Sequence, residues 1–364
     1  MSNKIEEIYL SVNANTTIAE LKTKIQLLED IIDKFNIRKV EAGFYYFVNY
    51  DNTTYGEYLS DDRKSDGETQ RVLTTDISAK NIFYYDGQAL MNYTSGFGFE
   101  YGICNTKTPE KMNHFTFGEA YELGKYTVKS TNGTSLNGWA DNQYWTNDNG
   151  ELNKTGNAAD ASGWDIVSVE SLPVTIGSLR HATFYAPMAV TIPEGVKAYT
   201  GTVKNDEWLT LAEVQGTIPA GTAVVLIAEK ADTYYFEIVK LDKTFEGTTH
   251  LCGTVPTIVN DKKTAEVKYY TLQAHDFNND GTNDGIAFKK YTGDNLSGFR
   301  AYLELPEGAK ATALRIRIAG EGTTDIEKSE IRDEKSEIIF DLIGRRVEKM
   351  EKGIYIVNGR KVVK

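Results

Sequence analysis

Phe44-Tyr45-Tyr46-Phe47-Val48, then Tyr58-Leu59-Ser60, then Asn81-Ile82-Phe83-Tyr84-Tyr85 are three β-prone runs separated by turn residues. Aromatic and β-branched side chains suit a pleated, half-buried surface, and the Asp, Asn and Gly between them favour turns. The unit recurs. Ala89-Leu90-Met91-Asn92-Tyr93 and Phe115-Thr116-Phe117 belong to a second copy. Tyr126-Thr127-Val128, Ser135-Leu136-Asn137 and Ser162-Gly163-Trp164-Asp165-Ile166-Val167 belong to a third. Each copy opens with a strand and carries a Leu-centred run at Leu59, Leu90 or Leu136. Phe83 and Trp164 are aromatic anchors closing the first and third copies; the second departs most. One such unit cannot bury its own apolar face, so repetition over residues 43–170 predicts a domain closed by its copies.

Residues 171–318 continue the β pattern in a different form. Arg180–Val203, Leu211–Glu229, Tyr234–Val239 and Gly298–Pro306 hold short alternating runs, broken by Pro-Glu-Gly and Pro-Ala-Gly turns, which points to a sandwich. Residues 319–337 are charged and alternate in sign, as a solvated linker does. In residues 338–364, Gly344 separates two β-prone runs, and Asn358-Gly359 separates Ile354–Val357 from Arg360–Lys364. Asn-Gly in that position signals a type I′ hairpin, whose two central residues need positive φ. Ahead of the β region, residues 1–42 hold a helix over 16–37. Thr16 or Thr17 caps it with Glu20 as capping-box partner, and Ile18, Leu21, Ile25, Leu28, Ile32 and Phe35 form one apolar stripe. The stripe is expected to pack on the following β domain; a partner chain or an upstream helical bundle are the alternatives.

The chain has 364 residues, enough for more than one domain. Its net charge of −12 gives no basic patch for nucleic acid and no polybasic handle for anionic lipid. No apolar run is long enough to span a membrane. Tyr outnumbers Phe and Trp, 22 against 15 and 4, which suits half-exposed surfaces and polar ligands. Cys104 and Cys252 read as buried small apolar residues, and none of the four His sits in a zinc-ligand pattern.

The threefold unit resembles ricin-type lectin β-trefoils, whose units end in Gln-x-Trp; here the Gln is missing and Trp164 keeps the anchor. Residues 172–318 resemble a module found beside lectin-like domains in surface proteins of Bacteroidota. The tail, Asp341-Leu342-x-Gly344-Arg345-Arg346-Val347 with Lys352-Gly353-Ile354-Tyr355-Ile356-Val357-Asn358-Gly359-Arg360-Lys361-Val362-Val363-Lys364, resembles the C-terminal sorting tail of proteins exported by the type IX system. These resemblances imply an all-β chain of trefoil, sandwich and hairpin tail. They also imply an extracellular or outer-membrane-surface location and contact with export machinery. Residues 1–12 lack the basic start and apolar core of a signal peptide. A sorting tail without a leader implies a longer protein, with a catalytic or helical domain upstream.

Sugar binding needs rings that stack on a pyranose face and Asp or Asn side chains that bind hydroxyls. Asp86, Asn92 and Tyr93 in the second unit supply them. So do Trp139, Asp141, Asn142, Tyr144 and Trp145 in the polar loop of the third. Two Trp in a polar loop suggest a binding surface as readily as they suggest packing beneath it. Asp276-x-Asn278-x-Asp280-Gly281-Thr282-x-Asp284 spaces oxygen donors as calcium loops do, with the Thr282 carbonyl between the side-chain ligands. Such residues also favour plain hairpin tips. Gly-x-Ser-x-Gly and P-loop patterns are absent, and carboxylate pairs cannot be placed across a cleft from spacing. The expected function is glycan binding by a non-catalytic accessory region. A structural spacer or adhesin module is the first alternative and a glycoside hydrolase the second.

Overall fold

The computed structural model describes residues 7–319 except 14, 36–38, 52–54, 64–70, 121–124, 132–141, 205–206, 242–243, 261–267, 284 and 306–310, together with four short strands between 339 and 363. The chain is mostly β and divides into two units, residues 1–319 and 320–364.

Among the described residues the first β region holds twelve strands: β1 (Gly43–Asn49), β2 (Glu57–Arg63), β3 (Arg71–Thr74), β4 (Phe83–Tyr85), β5 (Leu90–Asn92), β6 (Gly98–Glu100), β7 (Cys104–Thr106), β8 (His114–Glu119), β9 (Tyr126–Thr131), β10 (Gln143–Asp148), β11 (Glu151–Thr155) and β12 (Trp164–Ser168). Six follow one another around a barrel-like ring. β1 pairs β4, β4 pairs β5, β8 pairs β9, β9 pairs β12, and β12 returns to β1. β5 meets β8 at the Ala89–His114 bridge, where the Phe115 amide also donates to the Gln88 carbonyl. The other six form hairpins β2–β3, β6–β7 and β10–β11. At the β10–β11 turn, Asp148 pairs with Glu151, and Asn149 and Gly150 take φ of +53° and +85°, the positive values a two-residue turn requires.

The barrel core repeats with the chain. Phe47, Leu59, Leu73 and Phe83 come from β1–β4, and Leu90, Phe99, Ile103 and Phe115 from the second set. Val128, Trp145, Leu152 and Trp164 come from the third; all are buried in one cluster. Phe115 is thus the closing aromatic of the second unit, and the third unit's second strand is β10. The expected run at 135–137 lies outside the described residues. Among these rings sits one charge. Arg71 is fully buried, its guanidinium 3.5 Å above the Phe99 ring; its Nε donates to Asp61 at 3.2 Å and its Nη2 to the Phe97 carbonyl. The ring face and these acceptors offset the desolvation of a buried cation.

Residues 171–319 form a nine-stranded sheet and a four-stranded sheet, with a separate two-stranded pair. The strand Val224–Ala228 lies between two cores. Val224, Leu226 and Ala228 face one cluster and Val225 the other, which explains its unbroken apolar run. The first of these clusters also takes Phe44, Ile82, Tyr84, Met91 and Tyr93 from the barrel, with Leu172, Phe236 and Phe299 from the second region. Ile82–Tyr85 alternates in the same way, Phe83 and Tyr85 inward, Ile82 and Tyr84 into the shared cluster.

The two regions therefore meet at a packed seam rather than a linker. At its centre the backbones of Gly96 and Gly298 touch. A Cβ on Gly298 would lie 2.2 Å from the Val255 carbonyl oxygen and 2.9 Å from the Gly96 Cα. Thr257 ties them: its amide donates to the Gly96 carbonyl at 2.8 Å, and its hydroxyl accepts from the Gly298 amide at 2.9 Å. Next to Gly298, Phe299 takes a φ of +56° and packs its ring 5.2 Å from that of Tyr93.

The helix α1 spans Ile18–Phe35. Its capping box forms: Thr17 N donates to Glu20 Oε2 at 2.8 Å, and Glu20 N donates to Thr17 Oγ1 at 3.3 Å. The Thr17 amide, and after it the Thr17 hydroxyl, donate to the Glu20 carboxylate and lower its pKa. Among the described side chains of the stripe, Ile18 and Ile25 are 76% and 52% exposed, while Leu21 and Leu28 are half-buried. Cys104 and Cys252 are half-buried rather than fully buried, and Cys104 packs against the barrel core. The linker at 319–337 lies outside the described residues except Ala319. In residues 339–363, four strands run in the order Arg346–Val347, Ile339–Asp341, Ile354–Val357, Arg360–Val363. Val357 pairs with Arg360, leaving two residues for the connection. Asn358-Gly359 and the Gly344 turn are themselves outside the described residues.

Candidate binding site

Three of the sugar-binding candidates are structural. Trp145 is fully buried at the centre of the barrel core, and its Nε1 donates to the Gly102 carbonyl at 2.8 Å. Its ring meets those of Phe47, Phe99, Phe115 and Trp164, so the polar neighbours that suggested an exposed loop are the outward residues of a strand. Asn92 is fully buried; its amide donates to the Lys80 and Ile82 carbonyls, and its Oδ1 accepts from the Thr94 and Ser95 amides. It closes the turn after β5. Tyr93 lies in the seam and donates to the Pro173 carbonyl at 3.1 Å, and burial holds its phenol well above the ordinary range. All three polar groups are engaged in bonds within the chain.

Asn142 is exposed at the start of β10 with φ of +60°, and Tyr144 is half-buried with the Lys129 ammonium 5.4 Å over its ring. Trp139 and Asp141 lie outside the described residues.

Asp86 stands in a different setting. It begins the turn between β4 and β5, and its Oδ1 accepts from the amides of Gln88 at 2.8 Å and Ala89 at 2.6 Å. Two backbone donors fix the carboxylate while leaving lone pairs for a further donor. Asp86 lines a crevice of about 310 Å³ with Tyr84, Gln88, Met112, His114 and Pro256. One wall belongs to the barrel and the other, through Pro256, to the second β region. Burial, reinforced by the Asp86 charge, raises the Tyr84 phenol to about 12, so at neutral pH it is a hydroxyl beside a carboxylate. Carboxylate, phenol, amide and imidazole over Met and Pro walls supply acceptors, donors and an apolar face in one small volume. Asp86 was the legible part of this crevice. His114, from β8, and Pro256, from the bend after the strand Leu251–Thr254, are distant in sequence and carry no local signal.

A larger groove of about 920 Å³ runs past Glu41, Tyr45, Tyr126, Glu170, Glu237 and Lys240, where the start of β1 and the end of β12 approach the second region. Tyr45 donates to the Glu41 carbonyl at 2.8 Å. Burial, then the Glu41 charge, raises its pKa.

In the acidic loop, Asp276 Oδ2 accepts from the Gly281 amide at 2.7 Å, Asn278 Oδ1 from the Asp280 amide at 3.2 Å, and Asp280 Oδ1 from the Thr282 amide at 2.8 Å. Desolvation pulls the Asp276 pKa up, but the amides of Gly281, Asn279, Asp280 and Asn278 together outweigh it and lower the value. Each oxygen keeps a second lone pair, so the donor set is compatible with a hard cation. Among the described residues no group of three His, Cys, Asp or Glu is placed to hold a metal, and Asp284 lies outside them. No described helix is long and apolar enough to cross a membrane. Searches against protein-family models, curated proteins and solved structures find no match to this chain.

Proposed function

We propose that residues 43–319 are a non-catalytic glycan-binding accessory region, with the sugar held in the Asp86 crevice. The observation that carries this reading is the Asp86 carboxylate, fixed by two backbone amides beside Tyr84, Gln88 and His114 in a concave site. Asp86 Oδ2, Gln88 and His114 would bind hydroxyls, while Met112 and Pro256 receive the apolar face of the ring. In this reading residues 43–170 are a β-trefoil, supported by the ring of six strands with three hairpins. Residues 171–318 are a β-sandwich, supported by two sheets that share a buried cluster. The Asp276–Asp284 loop would take calcium through Asp276, Asn278, Asp280, the Thr282 carbonyl and Asp284. The tail would direct export to the cell surface through a type IX-like machinery.

The test is a glycan array followed by titration of the best ligand into wild type and Asp86→Asn. The amide keeps Oδ1 for the Gln88 and Ala89 amides, so the variant folds; loss of the charge-assisted bond should weaken binding about tenfold. Equal affinities, or no binding at millimolar sugar, overturn the crevice. The second reading is a spacer without a sugar site. It is favoured by the burial of Trp145, Asn92 and Tyr93, which turns three candidate ligands into packing.

A further inference from the structure

We propose that α1 is a self-association element, and that a second copy of this chain covers its apolar stripe in a parallel two-stranded pairing. The stripe is a strict heptad seam. Ile18, Ile25 and Ile32 fall at position a, and Leu21, Leu28 and Phe35 at position d, alternating by three and four residues over the whole of α1. β-branched residues at a with Leu at d select two parallel strands. Among the described residues Ile18 and Ile25 are the most exposed apolar side chains of the helix, so the a edge is open at these two positions in the single chain.

The flanking charges fit the same partner. In this register Lys24 is at g and Glu29 at e, and g of one helix meets the following e of the other in a parallel pair. Lys24 thus faces Glu29 of the second copy, and the reciprocal pair forms by symmetry. Lys24 donates to the Ser11 carbonyl and hydroxyl, both at 2.7 Å, which lays the preceding turn along its edge of the helix. Leu21 and Leu28, one turn away on that edge, are half-buried. An ammonium has three donors, so the third remains for Glu29. A second α1 offers a six-residue apolar row, whereas in the segment before α1 Ile8 is buried and Tyr9, Leu10 and Val12 are exposed. The pairing depends neither on the crevice nor on its ligand.

Sedimentation equilibrium of the full chain tests the pairing. The expected result is a monomer–dimer equilibrium. Ile18→Asp with Ile25→Asp should abolish the dimer while the β regions melt as in wild type. Glu29→Lys should weaken it about tenfold by setting Lys24 against Lys. Adding Lys24→Glu should restore it. Wild type that stays monomeric at about 100 µM, a higher oligomer, or a dimer that survives the double Asp substitution overturns the proposal.

Discussion

Replacing Gly298 with Ala tests whether the two β regions are one mechanical body. The added Cβ would stand 2.2 Å from the Val255 carbonyl oxygen, 2.9 Å from the Gly96 Cα and 3.2 Å from the Pro256 carbonyl carbon. All three are backbone atoms, so no rotamer change relieves the contact. Overpacking of this kind costs about 1–3 kcal/mol. Separating the strands also stretches the bonds from Thr257 to Gly96 and from Gly298 to Thr257, each contributing about 1 kcal/mol. The sum is about 3–5 kcal/mol, which for a body of this size lowers Tm by roughly 6–10 °C. Differential scanning calorimetry should show one transition for wild type and an earlier, divided one for Gly298→Ala, because the regions then melt apart. Gly177→Ala is the control, since nothing lies within 4 Å of its Cβ position. A Gly298→Ala protein melting as one transition within about 2 °C of wild type would refute the argument.

Trp145→Ala should destabilise by about 3–5 kcal/mol, because a fully buried ring is lost; Trp145→Phe should cost less and leave glycan affinity unchanged, as titration of the folded variant would show. Tyr84 has a pKa raised from 10.0 to about 12, so its contribution is intact below pH 10 and is lost as pH rises through 12. Alkaline melts should therefore steepen in that window and flatten in Tyr84→Phe, and identical curves would contradict this. If the Asp276–Asp284 loop takes calcium, chelator should lower Tm and Asp280→Ala should remove the difference; an unchanged melt removes the site. In Arg71→Ala the Asp61 carboxylate loses its buried partner, for an expected loss of about 3–5 kcal/mol in a urea melt.

Much of the β pattern was legible because aromatic and β-branched runs mark strands wherever one face is buried. The runs at 44–48, 83–85 and 164–167 all fall in barrel strands. β10 was harder: in Gln-Tyr-Trp-Thr-Asn-Asp only Trp145 is fully buried, and its polar neighbours imitate a loop. The same disguise made Trp145 look like a ligand-stacking ring. Asn92 misled for a related reason, since a buried Asn that satisfies four backbone groups has the same letter as one that binds a hydroxyl. The seam left no local trace. Gly96 and Gly298 are ordinary turn glycines until the fold brings their backbones together. The helix was the clearest element in sequence, yet Ile18 and Ile25 of its stripe are exposed where packing on the β domain was expected.

The shared cluster at the seam also sets where this chain can be divided. Cutting at residue 170 would strip Phe299 of the rings of Phe44, Tyr84 and Tyr93 that it meets, and open the cluster it shares with Leu172 and Phe236. A fragment carrying only residues 171–319 would display that apolar face to solvent and aggregate, while the barrel alone would expose Tyr84 and Met91. Alternate residues of Val224–Ala228 serve both cores, so repairing that face with polar substitutions would disturb the interior on the other side. The shared cluster makes these two regions one folding unit that cannot be cut into separate modules without rebuilding the seam.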